Sequence, residues 1–270
     1  MCAEHHGTGV DMAIIDQKEI PTVDIIIPVY NEEQILKQAV DKLHNFLLMQ
    51  KYFEWRIVIA SNGSTDRTNE IGINLSRNYS RVSFFHITKK GRGRALRKAF
   101  GESKALICLY TDVDLSVDIH LLPVLIRYAV EHGAITMPNR LAPRVYMKRP
   151  LNRVLFSRIY NVLIKFLFPT TTIKDAQVGM KAIHRNILEA LLKNVKNDNF
   201  FFDTELLLLA ERAGYPIIQI SADCCDMRAG NVRLVSCILE EFIGLIKMRI
   251  RLMQHKNVNT SKVLARENSG

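Results

Sequence analysis

The chain has 270 residues, of which 48% are hydrophobic and 24% are charged. This balance is typical of globular proteins and excludes an intrinsically disordered chain, and the length suffices for one large domain or two small ones. The formal net charge of +10 indicates an anionic partner, a description that nucleic acid, phospholipid headgroups and phosphorylated substrates all meet.

Cysteine usage and the chain termini bear on location. Five cysteines are an odd number without the spacing of a disulfide framework, which favours a reduced, cytoplasmic protein. Residues 1–20 are predicted to be a loosely attached tail that lacks the basic-then-apolar pattern of a signal peptide, and residues 257–270 a polar tail. No run approaches 18 apolar residues, so we expect no transmembrane helix.

The first half of the chain alternates apolar strands with helices. Val23 to Tyr30 (VDIIIPVY) is predicted to be a strand buried on both faces. A helix is expected to follow it, capped by Asn31 and running to about Met49. The other predicted elements of this half are strands over 56–60 and 82–87 and a helix over 67–79. Their order and spacing are typical of a doubly wound α/β sheet.

A glycine-rich basic segment comes next, KKGRGRALRK from Lys89 to Lys98. Its glycines allow the backbone to approach a ligand closely, its bases attract anions, and the helix that follows offers its N-terminus. It is not a Walker P-loop, because no Gly-Lys-Ser/Thr ends it at the required spacing. A solvated basic helix start is the alternative interpretation.

Two carboxylates follow a short apolar strand predicted over 105–110, at Asp112 and Asp114. Residues i and i+2 of an extended chain share a face, so both carboxylates can point at one spot beyond the strand. Paired oxygen ligands suit Mg²⁺ or Mn²⁺, which take further ligands from water and substrate phosphates. The pair is a candidate metal site for a diphosphate, with solvated turn acids as the ordinary alternative.

These polar clusters should meet in one crevice. Each follows a predicted strand, and in open α/β sheets ligands bind beyond the carboxyl ends of the strands. The four clusters lie at residues 30–32, 61–66, 89–93 and 112–114.

The second half carries a block without any Asp or Glu, from His132 to Lys174. Within it a helix is predicted over 151–167, where Arg153 and Ser157 share a face at spacing i, i+4. A late strand is predicted over 217–220, and a helix over about 234–252 ends among several bases. Bases at a helix end complement its dipole and also suit anionic lipid.

Six segments, taken in order, resemble the family-2 glycosyltransferases of the GT-A fold, and most of all the polyprenyl-phosphate glycosyltransferases, which include the dolichyl-phosphate glucosyl- and mannosyltransferases. The segments are IIPVYNEE (26–33), NGSTDRT (62–68), KGRGRALRKAF (90–100), TDVDLS (111–116), KDAQVGMK (174–181) and FFDTELLLLAERAGYPI (201–217). The resemblance implies one GT-A domain over 21–256, a mixed, mostly parallel sheet flanked by helices. Its nucleotide-sugar half would span 21–118 and its acceptor half 119–256.

The resemblance also implies roles for individual residues. Asp112 and Asp114 would hold the metal, Mg²⁺ or Mn²⁺, and Asp203 and Glu205 match the family's Phe-Asp-x-Glu segment. The nucleotide-sugar would be bound by residues from six parts of the chain, namely Pro28, Tyr30, Glu32, Asn62, Arg92, Asp112, Asp175, Gln177, Lys181, Arg228 and Arg233. Arg140, Arg153 and Ser157 resemble the family's clamp for the acceptor phosphate, for which a guanidinium and a hydroxyl are chemically apt.

Two chemistries remain open for the reaction. A hydroxyl acceptor needs a general base, and Asp203 or Glu205 would be the candidate. A phosphate oxygen is already anionic near pH 7 and needs only positioning. The basic clamp favours the phosphate, and Asp203 would then orient basic residues rather than remove a proton.

The resulting hypothesis is an inverting hexosyltransferase that uses UDP-glucose, with GDP-mannose as the next candidate donor, and a polyprenyl or dolichyl phosphate acceptor. The helix over 151–167 carries more apolar surface than a phosphate clamp needs, which predicts peripheral binding at the cytoplasmic membrane face. A core helix of a soluble domain is the alternative.

Two alternative functions stay open. The first is a soluble relative that acts on a sugar hydroxyl, and the second is a non-catalytic basic protein that binds membrane or nucleic acid. Bases alternate here with aliphatic rather than stacking aromatic residues, which argues against nucleic acid. The sequence leaves the oligomeric state open.

Overall fold

The computed structural model describes residues 20–143, 145, 147–148, 151–225 and 239–254. Its strands are β1 (Thr22–Val29), β2 (Glu54–Asn62), β3 (Val82–Ile87), β4 (Ile107–Thr111), β5 (Ile135–Asn139), β6 (Met147–Lys148), β7 (Met180–His184), β8 (Ile217–Ser221) and β9 (Cys224–Cys225). Its helices are α1 (Leu36–Leu48), α2 (Thr68–Asn78), α3 (Arg92–Glu102), α4 (Leu122–His132), α5 (Leu151–Leu167), α6 (Arg185–Leu191), α7 (Phe202–Arg212) and α8 (239–254).

Seven strands form one mixed sheet in the order β3-β2-β1-β4-β7-β5-β8. All neighbours are parallel except β7, which is antiparallel to both β4 and β5. Short strands β6 and β9 pair separately. The predicted fold class, a mostly parallel α/β sheet flanked by helices, is confirmed.

The centre of the sheet is apolar on both faces because helices cover both. Ile25, Ile26 and Ile27 of β1 alternate in direction along the strand, yet all three are fully buried. Burying each such side chain stabilises the fold by about 1.5–3 kcal/mol. The polar loops that follow β1, β2 and β4 are therefore anchored on a rigid base.

One predicted helix start is wrong. Asn31 does not cap α1, which begins at Leu36 without an acidic residue in its first turn. Asn31 instead takes a positive φ of 53° and its Oδ1 accepts a hydrogen bond from the backbone N–H of Thr65 at 2.8 Å. The side chain thus ties the loop after β1 to the loop after β2. The competing partner lies 34 residues away, so local capping preference could not reveal it.

Several predictions fall outside the described residues, among them both tails and the two bases Arg228 and Arg233. Within the described ranges, every helix is too short or too polar to cross a bilayer. The proposed division into two functional halves stays a prediction.

Candidate active site

The acidic pair follows β4, and a glycine fixes the place of its first member. The backbone N–H of Asp112 donates to the carbonyl of Gly179 at 2.9 Å. A Cβ at position 179 would lie only 1.9 Å from Asp112 Oδ2, well inside van der Waals contact. Asp112 therefore occupies the space that glycine leaves open. Its carboxylate is 41% exposed and accessible to a ligand.

Arg92, at the start of α3, joins two carboxylates from distant parts of the chain. Its Nη2 donates to Asp112 Oδ1 at 2.9 Å and its Nη1 to Asp203 Oδ2 at 2.5 Å. Burial opposes the charge, but Asp203 and Asp112 outweigh it and raise the pKa of the Arg92 guanidinium. The planar guanidinium also lies over the Tyr110 ring, 5.0 Å from its centroid.

Asp203 is a buried acid of the crevice with one acceptor oxygen unused. Burial alone would raise its pKa, but the nearby charges of Arg92 and Lys181 outweigh burial, and the pKa of Asp203 is lowered. Its Oδ1 is buried and has no hydrogen-bond partner among the described residues. An orphaned carboxylate oxygen in a polar crevice is a candidate point of contact for a ligand hydroxyl.

Lys181 is a fully buried cation beneath the same crevice. Its Nζ donates to the Tyr110 hydroxyl at 2.8 Å and to the carbonyls of Ala176 and Val178 at 3.1 and 2.8 Å. Burial lowers the pKa of Lys181 to about 8, against the opposing pull of Asp203. All three of its donors are used, so Lys181 shapes the 176–178 loop in this structure.

Two predicted ligand contacts instead form an internal ion pair. The guanidinium of Arg140 binds both oxygens of Asp175, at 2.8 and 2.9 Å, and the residues are 4% and 0% exposed. Burial opposes the charge of Asp175, but Arg140 outweighs it and lowers the pKa. Neither group reaches the crevice surface here, so the predicted roles of Arg140 on acceptor phosphate and of Asp175 on donor sugar would require movement.

Glu205 is likewise built into the scaffold. Its Oε2 accepts from the backbone N–H groups of Lys196 and Asn197 at 3.0 and 2.7 Å, and its Oε1 from Arg251 Nη2 at 2.7 Å. The side chain is buried. A carboxylate whose two oxygens are both engaged is poorly placed to accept a substrate proton, so the geometry disfavours Glu205 as a base.

Gln177 has a partner that the sequence analysis missed. Its amide nitrogen Nε2 donates to Oε2 of Glu241 on α8. Glu241 is buried, and burial raises its pKa to about 7. The sequence feature that could have indicated a polar contact of this helix is the pair of adjacent glutamates at positions 240 and 241, which lie among mostly apolar residues.

The predicted nucleoside-end residues lie in the loops after β1 and β2. Asn62 is buried, with Nδ2 donating to the carbonyl of Val29 at 2.8 Å and Oδ1 accepting from the Gly91 N–H at 3.0 Å. The Tyr30 ring lies 4.0 Å from Lys90 Nζ, and the Glu32 N–H donates to Thr68 Oγ1 at 2.8 Å. Pro28 is buried in β1. Asn62 therefore positions the glycine-rich loop, while Tyr30 and Lys90 form a partly exposed cation–π pair beside it.

The basic segment after β3 is largely neutralised within the chain. Arg94 and Arg97 both bind the carboxylate of Asp198, the first at 2.6 Å, and Lys98 pairs with Glu102. Gly93 allows this contact, because a Cβ there would lie 2.8 Å from the Asn199 carbonyl oxygen. The block therefore fastens α3 to the 195–199 loop and offers an anion less charge than its composition suggests.

Two helices beside the crevice expose aliphatic stripes. On α5, Leu155, Ile159, Val162 and Phe166 are 54–77% exposed, and on α8 six apolar residues are 39–58% exposed. Ser157, predicted for the acceptor clamp, is buried on the opposite side of α5, and the side chain of Arg153 lies outside the described part of the chain.

The donor set at Asp112 and Asp114 fits a hard divalent cation. Carboxylate oxygens are the preferred ligands of Mg²⁺ and Mn²⁺, and the side chain of Asp112 is partly exposed beside Gly179. Across the ranges that the structure describes, no group of three or more His, Cys, Asp or Glu side chains could hold a metal. An ion here would need further ligands from water or a bound phosphate.

Comparison with known proteins identifies the class. Residues 24–192 match the model of the family described as Glycosyl transferase family 2. The chain therefore belongs to the family-2 glycosyltransferases.

Relatives come from several organisms. The chain is 32% identical over 228 residues to Glycosyltransferase AglD of Haloferax volcanii, a match that covers 80% of this chain but only 35% of AglD. It is 25% identical over 265 residues to Dolichyl-phosphate beta-glucosyltransferase ALG5D of Trichomonas vaginalis, covering 93% of this chain and 78% of that protein. A Saccharomyces cerevisiae dolichyl-phosphate beta-glucosyltransferase is 27% identical over 226 residues, covering 76% of this chain and 67% of the yeast protein.

A solved structure with the same fold is glucosyl-3-phosphoglycerate synthase from Mycobacterium tuberculosis in complex with UDP. It superposes with a TM-score of 0.66 at 16% identity, covering 85% of this chain and 80% of that one. The same enzyme has also been crystallised with Mn²⁺, UDP-glucose and phosphoglyceric acid. At this identity the likeness establishes the GT-A fold.

Proposed function

We propose that this glycosyltransferase moves a hexose from a nucleoside diphosphate sugar, UDP-glucose before GDP-mannose, onto a polyprenyl or dolichyl phosphate. Two relatives named as dolichyl-phosphate beta-glucosyltransferases support the acceptor class. The complexes of the M. tuberculosis enzyme with UDP and UDP-glucose support the donor.

The observation that carries the acceptor chemistry is the state of Asp203. Its pKa is lowered and one of its oxygens is bound to Arg92, so it remains ionised but is a weak proton acceptor. A sugar hydroxyl would need a stronger base, whereas a phosphate oxygen attacks without losing a proton. Asp203 would hold Arg92 in place and offer its orphaned Oδ1 to a hydroxyl of the donor sugar.

Arg92 stands where negative charge builds up as the nucleoside diphosphate leaves. Its guanidinium is hydrogen-bonded to both Asp112 and Asp203, so the positive charge is already in place before the substrate binds. A divalent ion at Asp112 and Asp114, when bound, would neutralise diphosphate charge. Of the two arginines predicted to bind the acceptor phosphate, Arg153 is the proposed one, because Arg140 is bound to Asp175.

The exposed stripes of α5 and α8 support peripheral attachment at the cytoplasmic membrane face. A stripe of large aliphatic side chains beside a crevice suits burial among acyl chains, with exposed bases such as Arg158 and Lys247 directed to headgroups. This arrangement would bring a lipid-linked phosphate to the acceptor half without a spanning helix in the described chain.

A transfer assay tests the proposal. The full chain is incubated with labelled UDP-glucose or GDP-mannose, polyprenyl phosphate and Mn²⁺, and label entering the organic phase is counted after correction for hydrolysis. Asp114→Asn should abolish transfer. Asp118→Asn makes the same chemical change at an exposed turn residue of the same segment and should leave transfer intact.

Three outcomes would count against the proposal. Label in a water-soluble glycoside alone would indicate a sugar-hydroxyl acceptor. No product from either donor would remove the proposed reaction. Equal activity in Asp114→Asn would remove the metal site.

A further inference from the structure

The helix α8 carries charged as well as apolar residues on its inward face, and most of its exposed large side chains are apolar. Its inward face includes Glu241, Leu245 and Met248, all buried, and Arg251, which binds Glu205. A Cβ at Gly244 would lie 2.4 Å from Phe201 Cγ, so glycine allows α8 to lie directly against the residue that precedes α7. The close approach at Gly244, together with the side-chain hydrogen bonds of Glu241 and Arg251 on either side of it, holds α8 in one position.

Glu241 sits among the charges of the crevice. Asp203 of α7, Arg92 of α3, Tyr160 of α5 and the adjacent Glu240 all interact with it electrostatically. A buried carboxylate near Asp203 is electrostatically unfavourable, and an apolar side chain would pack there at lower cost. Stability of the fold therefore does not explain a carboxylate at this position.

Within the described ranges, the side chain of Glu241 hydrogen-bonds to Gln177, on the wall of the crevice. Gln177 is half-buried and precedes by two residues Gly179, the glycine that makes room for Asp112. A carboxylate can only accept, so it binds the NH₂ end of the Gln177 amide and directs the carbonyl oxygen the other way. The ionised acid thus selects one of two amide orientations.

We propose that Glu241 is a positioning residue that fixes the amide of Gln177, so that the Gln177 carbonyl oxygen accepts a hydroxyl of the donor hexose. The inference rests on the proposed function, because it takes the ligand to be a nucleoside diphosphate hexose. Glu241 itself does not touch the substrate. It acts from α8, the helix whose opposite face is aliphatic and exposed, upon the loop that lies beside Asp112.

Protonation gives the proposal a second readout. Burial raises the pKa of Glu241 to about 7, so the side chain gains a proton in the range where the enzyme can be assayed. Protonated Glu241 can donate to the Gln177 oxygen, which turns the amide and presents NH₂ to the sugar. Donor affinity should then weaken as pH falls from 8 to 6.

The experiment measures binding and turnover of the full chain with Glu241→Ala, Gln177→Ala and the double variant. Binding of UDP-glucose and GDP-mannose is followed by calorimetry, and the donor that the wild type binds is used for KM and kcat. Glu240→Gln, a charge-removing change at the neighbouring residue of the same helix, is the control. Glu241→Gln cannot ionise and, like protonated Glu241, has both a hydrogen-bond donor and an acceptor.

Loss of Glu241 should weaken donor binding about fivefold, the effect of one hydrogen bond, with kcat changed less than KM. The double variant should bind the donor no more weakly than Gln177→Ala. Glu241→Gln should bind the donor equally at pH 6 and pH 8, at the weaker level that the wild type reaches when Glu241 is protonated. Additive effects of the two alanines, or wild-type donor binding in Glu241→Ala, would overturn the inference. If wild type binds neither donor, the proposed function itself fails and this inference falls with it.

Discussion

Gly179→Ala isolates the placement of Asp112 from every other feature of the site. The backbone of Gly179 does not have a positive φ, so alanine meets no conformational barrier there. The added methyl would lie 1.9 Å from Asp112 Oδ2 and 2.6 Å from its Cγ, against about 3.5–4 Å for a normal contact. The carboxylate must therefore move by more than about 1 Å.

The backbone cannot relieve this clash easily, because the Asp112 N–H is bonded to the Gly179 carbonyl. The side chain must rotate, which breaks its bond to Arg92 Nη2. A displacement of about 1 Å at a reacting group costs about 100-fold in rate, equivalent to about 2.7 kcal/mol of transition-state stabilisation. The free energy of unfolding should fall by only about 0.5–1.5 kcal/mol, the cost of a strained rotamer.

The assay is steady-state sugar transfer, with chemical denaturation measured in parallel. Gly101→Ala is the matched control, since a Cβ there would lie 4.0 Å from Leu192 Cδ2, an ordinary van der Waals contact. Within helix α3 that change should raise stability by about 0.4–1 kcal/mol and leave transfer unaffected. Gly179→Ala with wild-type kcat/KM would refute the claim that this glycine places Asp112.

Three further results are expected. Arg92→Lys cannot bridge two carboxylates and should lose one charge-assisted hydrogen bond worth about 1.5–3 kcal/mol, seen as a ten- to hundredfold fall in kcat/KM; unchanged kinetics would rule out the bridge. The pKa of Glu241 is raised from 4.5 to about 7 in the folded state, so the folded chain binds a proton more tightly than the unfolded chain. The free energy of unfolding should therefore fall by up to about 3 kcal/mol as pH rises from 4.5 to 7. Glu241→Gln should remove this fall in urea titrations, and a pH profile identical to that of the wild type would contradict the prediction. Val162→Ser with Phe166→Ser should abolish flotation with anionic liposomes while leaving the melting temperature within a few degrees, since both side chains are at least 69% exposed; retained flotation would exclude α5 as the lipid contact.

Much of the fold of the first half of the chain could be predicted from the sequence because its signals are local. Apolar runs define β1, β2 and β4, and the polar residues that follow them meet because parallel strands end at the same edge. The helix predicted over 151–167 has the same bounds in the structure as α5. The antiparallel strand β7 was not predicted, since a five-residue run gives no indication of its direction.

Several predicted ligand-binding side chains have protein partners in the structure, and the physical cause is competition from distant residues. Arg140 was expected on a phosphate, but Asp175, 35 residues away, satisfies it inside the protein. The bases of the glycine-rich loop were expected to face an anion, and Asp198 takes two of them. A side chain's chemistry indicates what it can bind, whereas only the fold decides whether a protein group or a ligand reaches it first.

The ion pairs that join the two halves of the chain around the crevice affect how the chain folds. Arg92 reaches Asp203 across 111 residues, and Arg94 and Arg97 reach Asp198 across 104 and 101. Contacts of such high order form late, because the intervening loop must close before they are gained. During synthesis the first half therefore emerges with Arg94 and Arg97 lacking their counterion until residue 198 has left the ribosome. Arg92 can pair only with Asp112 until residue 203 follows. The two halves share one site, and we expect neither to fold into a working module when expressed alone.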